Sequence, residues 1–101
     1  MTVRLTPKAE IQLRALPVPA AKRVVRALRV LAAAPNSGRP YPSDSPFQGS
    51  FYKNVVVRSR RWSYRITYDL RDGDLWVRYL YPSWYPLTHP DATLLPPDEE
   101  D

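Results

Sequence analysis

The sequence predicts an α+β fold with the element order β-α-α-β-β-β, in which an N-terminal helical hairpin packs on one face of an antiparallel sheet. Two observations predict this fold. An apolar stripe of helical period runs through residues 20–34, and an Asp72-Gly73 turn signal joins two strand-like runs, Tyr64–Leu70 and Leu75–Tyr81. Asp-Gly is typical of two-residue hairpin loops, because a type I′ turn needs positive φ at both central residues.

The elements before the sheet are a strand and two helices. A short strand is predicted at Val3–Leu5, and a first helix from Thr6-Pro7 to about Leu16. Thr is a favourable N-cap, and Pro is tolerated at the first helical position because its missing N–H would have no helical partner there. The apolar side of this helix consists of Ala9, Leu13 and Leu16. The Pro17-Val18-Pro19 segment ends it.

A second helix is predicted over about Ala20–Ala34, and Pro35 and Gly38 end it. Its apolar residues have the spacing of one buried helical face. They are Ala21, Val24, Leu28 and Leu31. A connector rich in Pro and Ser follows over residues 38–49, and the next strand is predicted at Phe51–Val57.

A two-residue loop at Asp72-Gly73 fixes the register of the last two strands. It places Leu70 opposite Leu75, Tyr68 opposite Val77, Ile66 opposite Tyr79 and Tyr64 opposite Tyr81. These apolar and aromatic residues would form the core face. The opposite face would carry Arg65, Thr67, Asp69, Trp76, Arg78 and Leu80. The sequence therefore predicts that two arginines share a face turned away from the core.

The composition excludes several classes of chemistry. The chain has no cysteine, which excludes disulfides and thiolate sites, and its one histidine is His89, which makes a histidine-based metal site unfavourable. We expect no metal and no cofactor. No apolar run approaches the roughly 20 residues that span a bilayer, and MTVRLTPKAE lacks a signal-peptide segment. We expect a cytoplasmic protein with no membrane partner.

The charges are distributed unevenly along the chain. All 15 Lys and Arg residues lie between Arg4 and Arg78, whereas five of the ten acidic residues lie between Asp91 and Asp101. We expect a single domain over residues 1–90 and an acidic, flexible tail over residues 91–101. A basic body is typical of proteins that bind a polyanion, most often a nucleic acid. A soluble, Arg-rich protein without such a partner is the alternative.

Several segments carry a family resemblance through their order. LTPKAEIQLRALPVPAAKRVVRALRVLAAAP reads as a strand and two helices, and Tyr52-Lys53 precedes a YR-x-x-Y pattern at Tyr64–Tyr68. The Asp72-Gly73 hairpin and Leu75–Tyr81 complete the series. Over about residues 3–81, this arrangement resembles the RelE/ParE toxin superfamily of bacterial toxin–antitoxin systems.

The resemblance implies a compact toxin that a cognate antitoxin protein neutralises. RelE-type members cleave mRNA in the ribosomal A site, whereas ParE-type members inhibit DNA gyrase without a nuclease site. Lys53 and Arg65 match, by position, the basic residues of the RelE-type strands. The family's last strand is usually followed by a Gly-x-Arg-like ending, and residues 81–85 contain no arginine. A ribosome-dependent mRNA endoribonuclease, a gyrase inhibitor and an inactive nucleic-acid-binding module therefore remain open.

The chemistry of metal-free RNA cleavage suggests the site residues. The planar guanidinium groups of Arg65 and Arg78 would bind phosphate oxygens, and Lys53 would act as a base or a ligand. Tyr81 and Tyr85 would stack on bases or transfer protons. The predicted nucleic-acid-binding residues are Arg58, Arg60, Arg61 and Trp84.

Each candidate also has a purely structural interpretation. Arg65 and Arg78 would belong to a solvated face with Asp69 as their counter-charge, and Lys53 would extend from a strand end into water. The basic corner at residues 58–61 would be a solvated turn. Trp84 and Tyr85 would hold the C-terminal segment against the sheet.

Overall fold

The computed structural model describes residues 1–59 and 62–82. Its strands are β1 (Val3–Leu5), β2 (Arg39–Pro40), β3 (Phe51–Ser59), β4 (Trp62–Arg71) and β5 (Asp74–Pro82), and its helices are α1 (Pro7–Arg14) and α2 (Val18–Ala33). A 3₁₀ turn at Pro35–Ser37 follows α2. The α+β class is confirmed. The predicted tail over residues 91–101 lies outside the described residues.

The sheet is mixed, so the prediction of an antiparallel sheet was incomplete. Its strand order is β1-β5-β4-β3-β2, and β1 runs parallel to β5 while the other neighbours are antiparallel. Strand β2 was not predicted, because its second residue is Pro40 and proline is rare in strands other than at sheet edges. In the described part of the chain, no helix is long and apolar enough to cross a membrane.

Helix α1 begins where the sequence places it and ends earlier, whereas α2 begins at Val18, two residues before the predicted start at Ala20. The Ala9 N–H donates to Thr6 Oγ1 at 3.2 Å, so Thr6 is the N-cap of α1, and the helix ends at Arg14 rather than near Leu16. The buried residues of α2 are Ala20, Val24, Leu28 and Leu31. Ala20 takes the place of the predicted Ala21, because these residues lie four and three positions before Val24 and the helical period allows either of them on this face.

The main core lies between the helices and one face of the sheet. The buried residues of α2 pack there against a cluster from β3, β4 and β5, namely Val55, Val57, Tyr64, Ile66, Tyr68, Leu75, Val77 and Leu80. Complete burial of a side chain of this size contributes about 1.5–3 kcal/mol. This apolar layer is therefore the main stabilising element of the fold.

The predicted hairpin register is correct near the turn and wrong beyond Val77. Asp72 and Gly73 have φ values of 53° and 80°, and Tyr68 faces Val77 as predicted. The next pair is Thr67 with Tyr79, so Arg78 is an extra residue in a β-bulge. The predicted pairs of Ile66 with Tyr79 and Tyr64 with Tyr81 do not form. Ile66 faces Leu80, Arg65 faces Tyr81 and Tyr64 faces Pro82.

The bulge transfers two tyrosines to the second face of the sheet. Tyr79 and Tyr81 form a small buried cluster with Phe47, and Tyr41 packs against it, while Leu80 joins the main core. Tyr41 and Phe47 belong to the connector between β2 and β3. We call this side of the sheet the helix-free face. It carries Tyr52, Asn54, Arg65, Thr67, Asp69, Arg78, Tyr79 and Tyr81, and the connector covers its centre.

Candidate nucleic-acid interface

Arg65 is held at one end of the helix-free face by two residues of β3. Its Nε donates to Asn54 Oδ1 at 3.0 Å, and its Cζ lies 4.4 Å from the centre of the Tyr52 ring. Asn54 faces Arg65 directly across the strand pair, and Tyr52 is two residues away on the same face. The guanidinium group therefore rests on an aromatic surface and donates to a neutral amide oxygen.

Arg78 lies at the other end of this face and has a negatively charged partner. Its Nε is 3.7 Å from Asp69 Oδ2, and its Nη1 donates to Ser50 Oγ at 2.9 Å. The Ser50 hydroxyl in turn donates to the Asp69 carboxylate. The side chains of Arg78 and Asp69 are only 20% and 22% exposed. We call Ser50, Asp69 and Arg78 the Asp69 cluster. In this cluster Asp69 is the counter-charge of Arg78, whereas Arg65 contacts Asn54 instead.

Arg65 and Arg78 share a face without forming one binding site. Asp69 follows Arg65 by four residues along β4, which corresponds to about 13 Å at 3.3 Å per residue. Thr67 lies between them, and Tyr41 Oη is 2.7 Å from its Oγ1. The connector thus separates the two arginine positions.

Two tyrosines at the centre of this face, Tyr79 and Tyr81, are buried, and Tyr41 is half-buried against them. Tyr41 Oη lies 3.5 Å from Tyr81 Oη, and Tyr81 is only 6% exposed. Burial raises the pKa of Tyr41 far above its ordinary value, and the nearby Tyr81 adds to this effect although the contact with Thr67 opposes it. The Tyr41 phenol therefore stays protonated at neutral pH and is a hydrogen-bonding group rather than a base.

Lys53 occupies a different face from the two arginines. It pairs with Ile66 of the main core, so its side chain leaves β3 on the helix side, next to the sheet edge where β2 begins. There it lines a cleft of about 450 Å³, which we call the edge cleft. The lining residues are Ser37, Arg39, Tyr52, Lys53 and Asn54.

The edge cleft adjoins Arg65, because Tyr52 and Asn54 contact both. Three cations, Arg39, Lys53 and Arg65, are thus associated with one polar region, and among the described residues no carboxylate lines the cleft. Sequence reasoning missed Arg39, since it lies in a Pro- and Ser-rich connector that carries no strand signal. Its pairing with Tyr52 brings it to this edge.

The other predicted residues do not join this region in the described structure. Arg58 lies near the end of β3, with its Cζ 5.5 Å from the centre of the Trp62 ring. Arg60, Arg61, Trp84 and Tyr85 lie outside the described residues. Within residues 1–59 and 62–82, no group of three or more His, Cys, Asp or Glu side chains could hold a metal ion.

A second surface lies on the helical hairpin, between α1 and α2. It is a groove of about 540 Å³ with an apolar floor of Leu13, Leu16, Val18, Ala21 and Val25. The basic residues that line it are Arg14, Lys22, Arg26 and Arg29. Val18 and Val25 are exposed, although they are apolar. We call this the hairpin groove.

Comparison with known proteins identifies no relative: no protein-family model, no curated protein and no solved structure matches the chain.

Proposed function

We propose that this chain is the toxin of a bacterial toxin–antitoxin pair, acting in the cytoplasm as a ribosome-dependent, metal-independent mRNA endoribonuclease. The observation that carries the proposal is the edge cleft, where Arg39 and Lys53 lie beside the two residues that hold Arg65. A site in which three cations meet suits a phosphodiester, whose negative charge increases during cleavage.

The residues of this region have different tasks in the proposed reaction. The guanidinium groups of Arg39 and Arg65 bind phosphate oxygens and stabilise the charge of the transition state. Lys53 acts as a base or as a further phosphate ligand. Tyr52 supports Arg65 at 4.4 Å and keeps its guanidinium oriented.

The hairpin groove supports the antitoxin part of the proposal. Its apolar floor is suited to the hydrophobic side of a partner segment, and its four basic residues are suited to acidic residues beside that side. An acidic, amphipathic antitoxin segment is therefore the partner proposed for this surface.

Addition of the purified protein to translating ribosomes tests the enzymatic part. We expect mRNA to be cut at codons in the A site, and Arg65→Gln and Lys53→Met each to slow the cleavage about 100-fold or more. Arg23→Gln is the matched control, because Arg23 is exposed on α2 and lines neither surface. Cleavage of equal rate in the Arg65 and Arg23 variants would remove Arg65 from the mechanism.

One observation favours a second function, a non-catalytic inhibitor of DNA gyrase. Arg78 is paired with Asp69, and Lys53 leaves the sheet on the other face, so the residues predicted for catalysis are not assembled around one point. Inhibition of supercoiling with intact mRNA would support this function. If the protein affects neither process, an inactive nucleic-acid-binding module on the same scaffold is the remaining interpretation.

A further inference from the structure

We infer that Asp69 determines which arginine of the helix-free face binds RNA phosphates, by holding Arg78 within the Asp69 cluster so that phosphate binds at the Arg65 end. The inference rests on the proposed function, because it concerns how the same surface recognises a polyanion. Its basis is a difference between the partners of the two arginines.

The partner of Arg78 is an anion that is poorly exposed. Asp69 Oδ2 is 3.7 Å from Arg78 Nε, whereas Arg71 Nε is more distant at 4.0 Å. A phosphate that bound Arg78 would approach the Asp69 carboxylate as a like charge. If Arg78 moved out to meet it, a carboxylate with 22% exposure would lose its nearest cation. Both routes oppose phosphate binding.

Arg65, in contrast, donates to a neutral partner. Its Nε donates to the Asn54 amide oxygen, and a phosphate oxygen can replace that acceptor without leaving a buried negative charge. The adjoining edge cleft adds Arg39 and Lys53. The electrostatic cost of binding phosphate is therefore lower at the Arg65 end, although both arginines belong to the same face.

Binding of a fluorescein-labelled uridine decamer to the full chain, measured against salt concentration, tests this inference without ribosomes. Asp69→Asn should release Arg78 and add one phosphate contact. The slope of log K against log salt should then become steeper by about 0.7, which corresponds to roughly five-fold tighter binding at 0.1 M salt. The gain should vanish when Arg78→Gln is added, so that the double variant and Arg78→Gln alone bind within two-fold of each other.

Asp74→Asn is the matched control. It removes the same charge from another Arg–Asp pair, since Arg4 Nε lies 2.7 Å from Asp74 Oδ2 at the β1 side of the sheet. Equal tightening by Asp69→Asn and Asp74→Asn would overturn the inference, because net charge alone would explain it. A gain that survives Arg78→Gln, or no measurable binding by any variant at low salt, would also overturn it.

A second variant covers a folding defect. If thermal unfolding shows that Asp69→Asn is unfolded, Asp69→Ser keeps a polar group beside Ser50 and carries the same expectation. The readout is also separate from the proposed enzymatic function. A tighter complex of the Asp69 variant with RNA, combined with no cleavage on ribosomes, would reject the nuclease and retain the inference.

Discussion

The Thr6 hydroxyl donates to the carbonyl oxygen of Arg78 at 3.1 Å, and thereby joins the start of α1 to the β5 bulge. The Thr6 N–H donates to the carbonyl oxygen of Val77 at 3.0 Å, and Thr6 Oγ1 also accepts from the Ala9 N–H. One buried residue thus caps a helix and binds two successive carbonyl groups of the bulged strand. The bulge determines which residues of β5 face the helices, so Thr6 stabilises both the start of α1 and the packing of β5 against the helices.

We expect Thr6→Val to reduce the free energy of unfolding by about 2 kcal/mol, because it removes the N-cap acceptor and the donor to Arg78 together. Thr6→Ser keeps both and should cost less than about 1 kcal/mol. Urea denaturation of the two variants measures the difference. Equal stability of the two variants would show that the hydroxyl does not hold the bulge.

The space at Gly38 is occupied by the Tyr68 phenol. A Cβ at position 38 would lie 2.0 Å from Tyr68 Oη, and this hydroxyl donates to the Pro35 carbonyl oxygen at 2.9 Å. Tyr68 is fully buried and cannot move without disturbing the core. We expect Gly38→Ala to lower the free energy of unfolding by about 3 kcal/mol.

A double variant separates steric overlap from a general intolerance of position 38. Tyr68→Phe removes the atom that the new Cβ would meet first, so Gly38→Ala should cost less in that background than in the wild type. Denaturation midpoints of the four proteins give the coupling free energy. Additive effects would contradict the steric explanation.

Stability should fall at high pH because of Tyr41. Its pKa is raised in the folded state, so the folded chain keeps a proton that the unfolded chain releases above about pH 10. This contribution is fully present below pH 10 and is lost as the pH rises further, by up to about 1.4 kcal/mol per pH unit. Burial also raises the pKa of Tyr68, which acts in the same direction.

Tyr41→Phe isolates this effect. Denaturation at pH 9, 10 and 11 should show a flatter decline for the variant than for the wild type, because the titrating phenol is absent. Parallel declines would mean that Tyr41 titrates alike in both states, and would refute its assignment as the buried group.

Gly73 has a φ of 80° in the β4–β5 turn, with open space where a Cβ would lie. Gly73→Ala should therefore cost about 1 kcal/mol through backbone strain alone. Asp72→Asn should be nearly neutral, because Asn also tolerates the positive φ observed at position 72. Thermal unfolding of the two variants tests this, and a larger loss for Asp72→Asn would contradict the turn assignment.

The elements with a strong periodic signal were predictable from the sequence. The apolar stripe of α2 and the Asp72-Gly73 turn each depend on local chemistry, and both are found in the structure. The bulge at Arg78 was not predictable in this way. The segment Tyr79-Leu80-Tyr81 is apolar at every position, so it fits either face, and the contact with Thr6 that selects one comes from the distant N-terminal part of the chain.

The candidate site was only partly predictable for the same reason. Alternation along β4 correctly places Arg65 and Asp69 on one face, but it does not reveal that Asp69 contacts Arg78 rather than Arg65. The position of Arg39 depends on the two-residue strand β2, which has no periodic signal. The pairing of Arg78 with Asp69 and the position of Arg39 at the edge cleft both arise from tertiary contacts.

The parallel pairing of β1 with β5 has a consequence for the order of assembly. Val3 pairs with Leu75 and Leu5 with Val77, so the first strand cannot find its neighbour until the last has been synthesised. Helix α1 packs mainly against β5 as well, whereas α2 and the β3–β4 ribbon have partners that are synthesised earlier. The β1 segment of the growing chain therefore has no strand partner through most of translation. The sheet can be completed only after β5 has been synthesised.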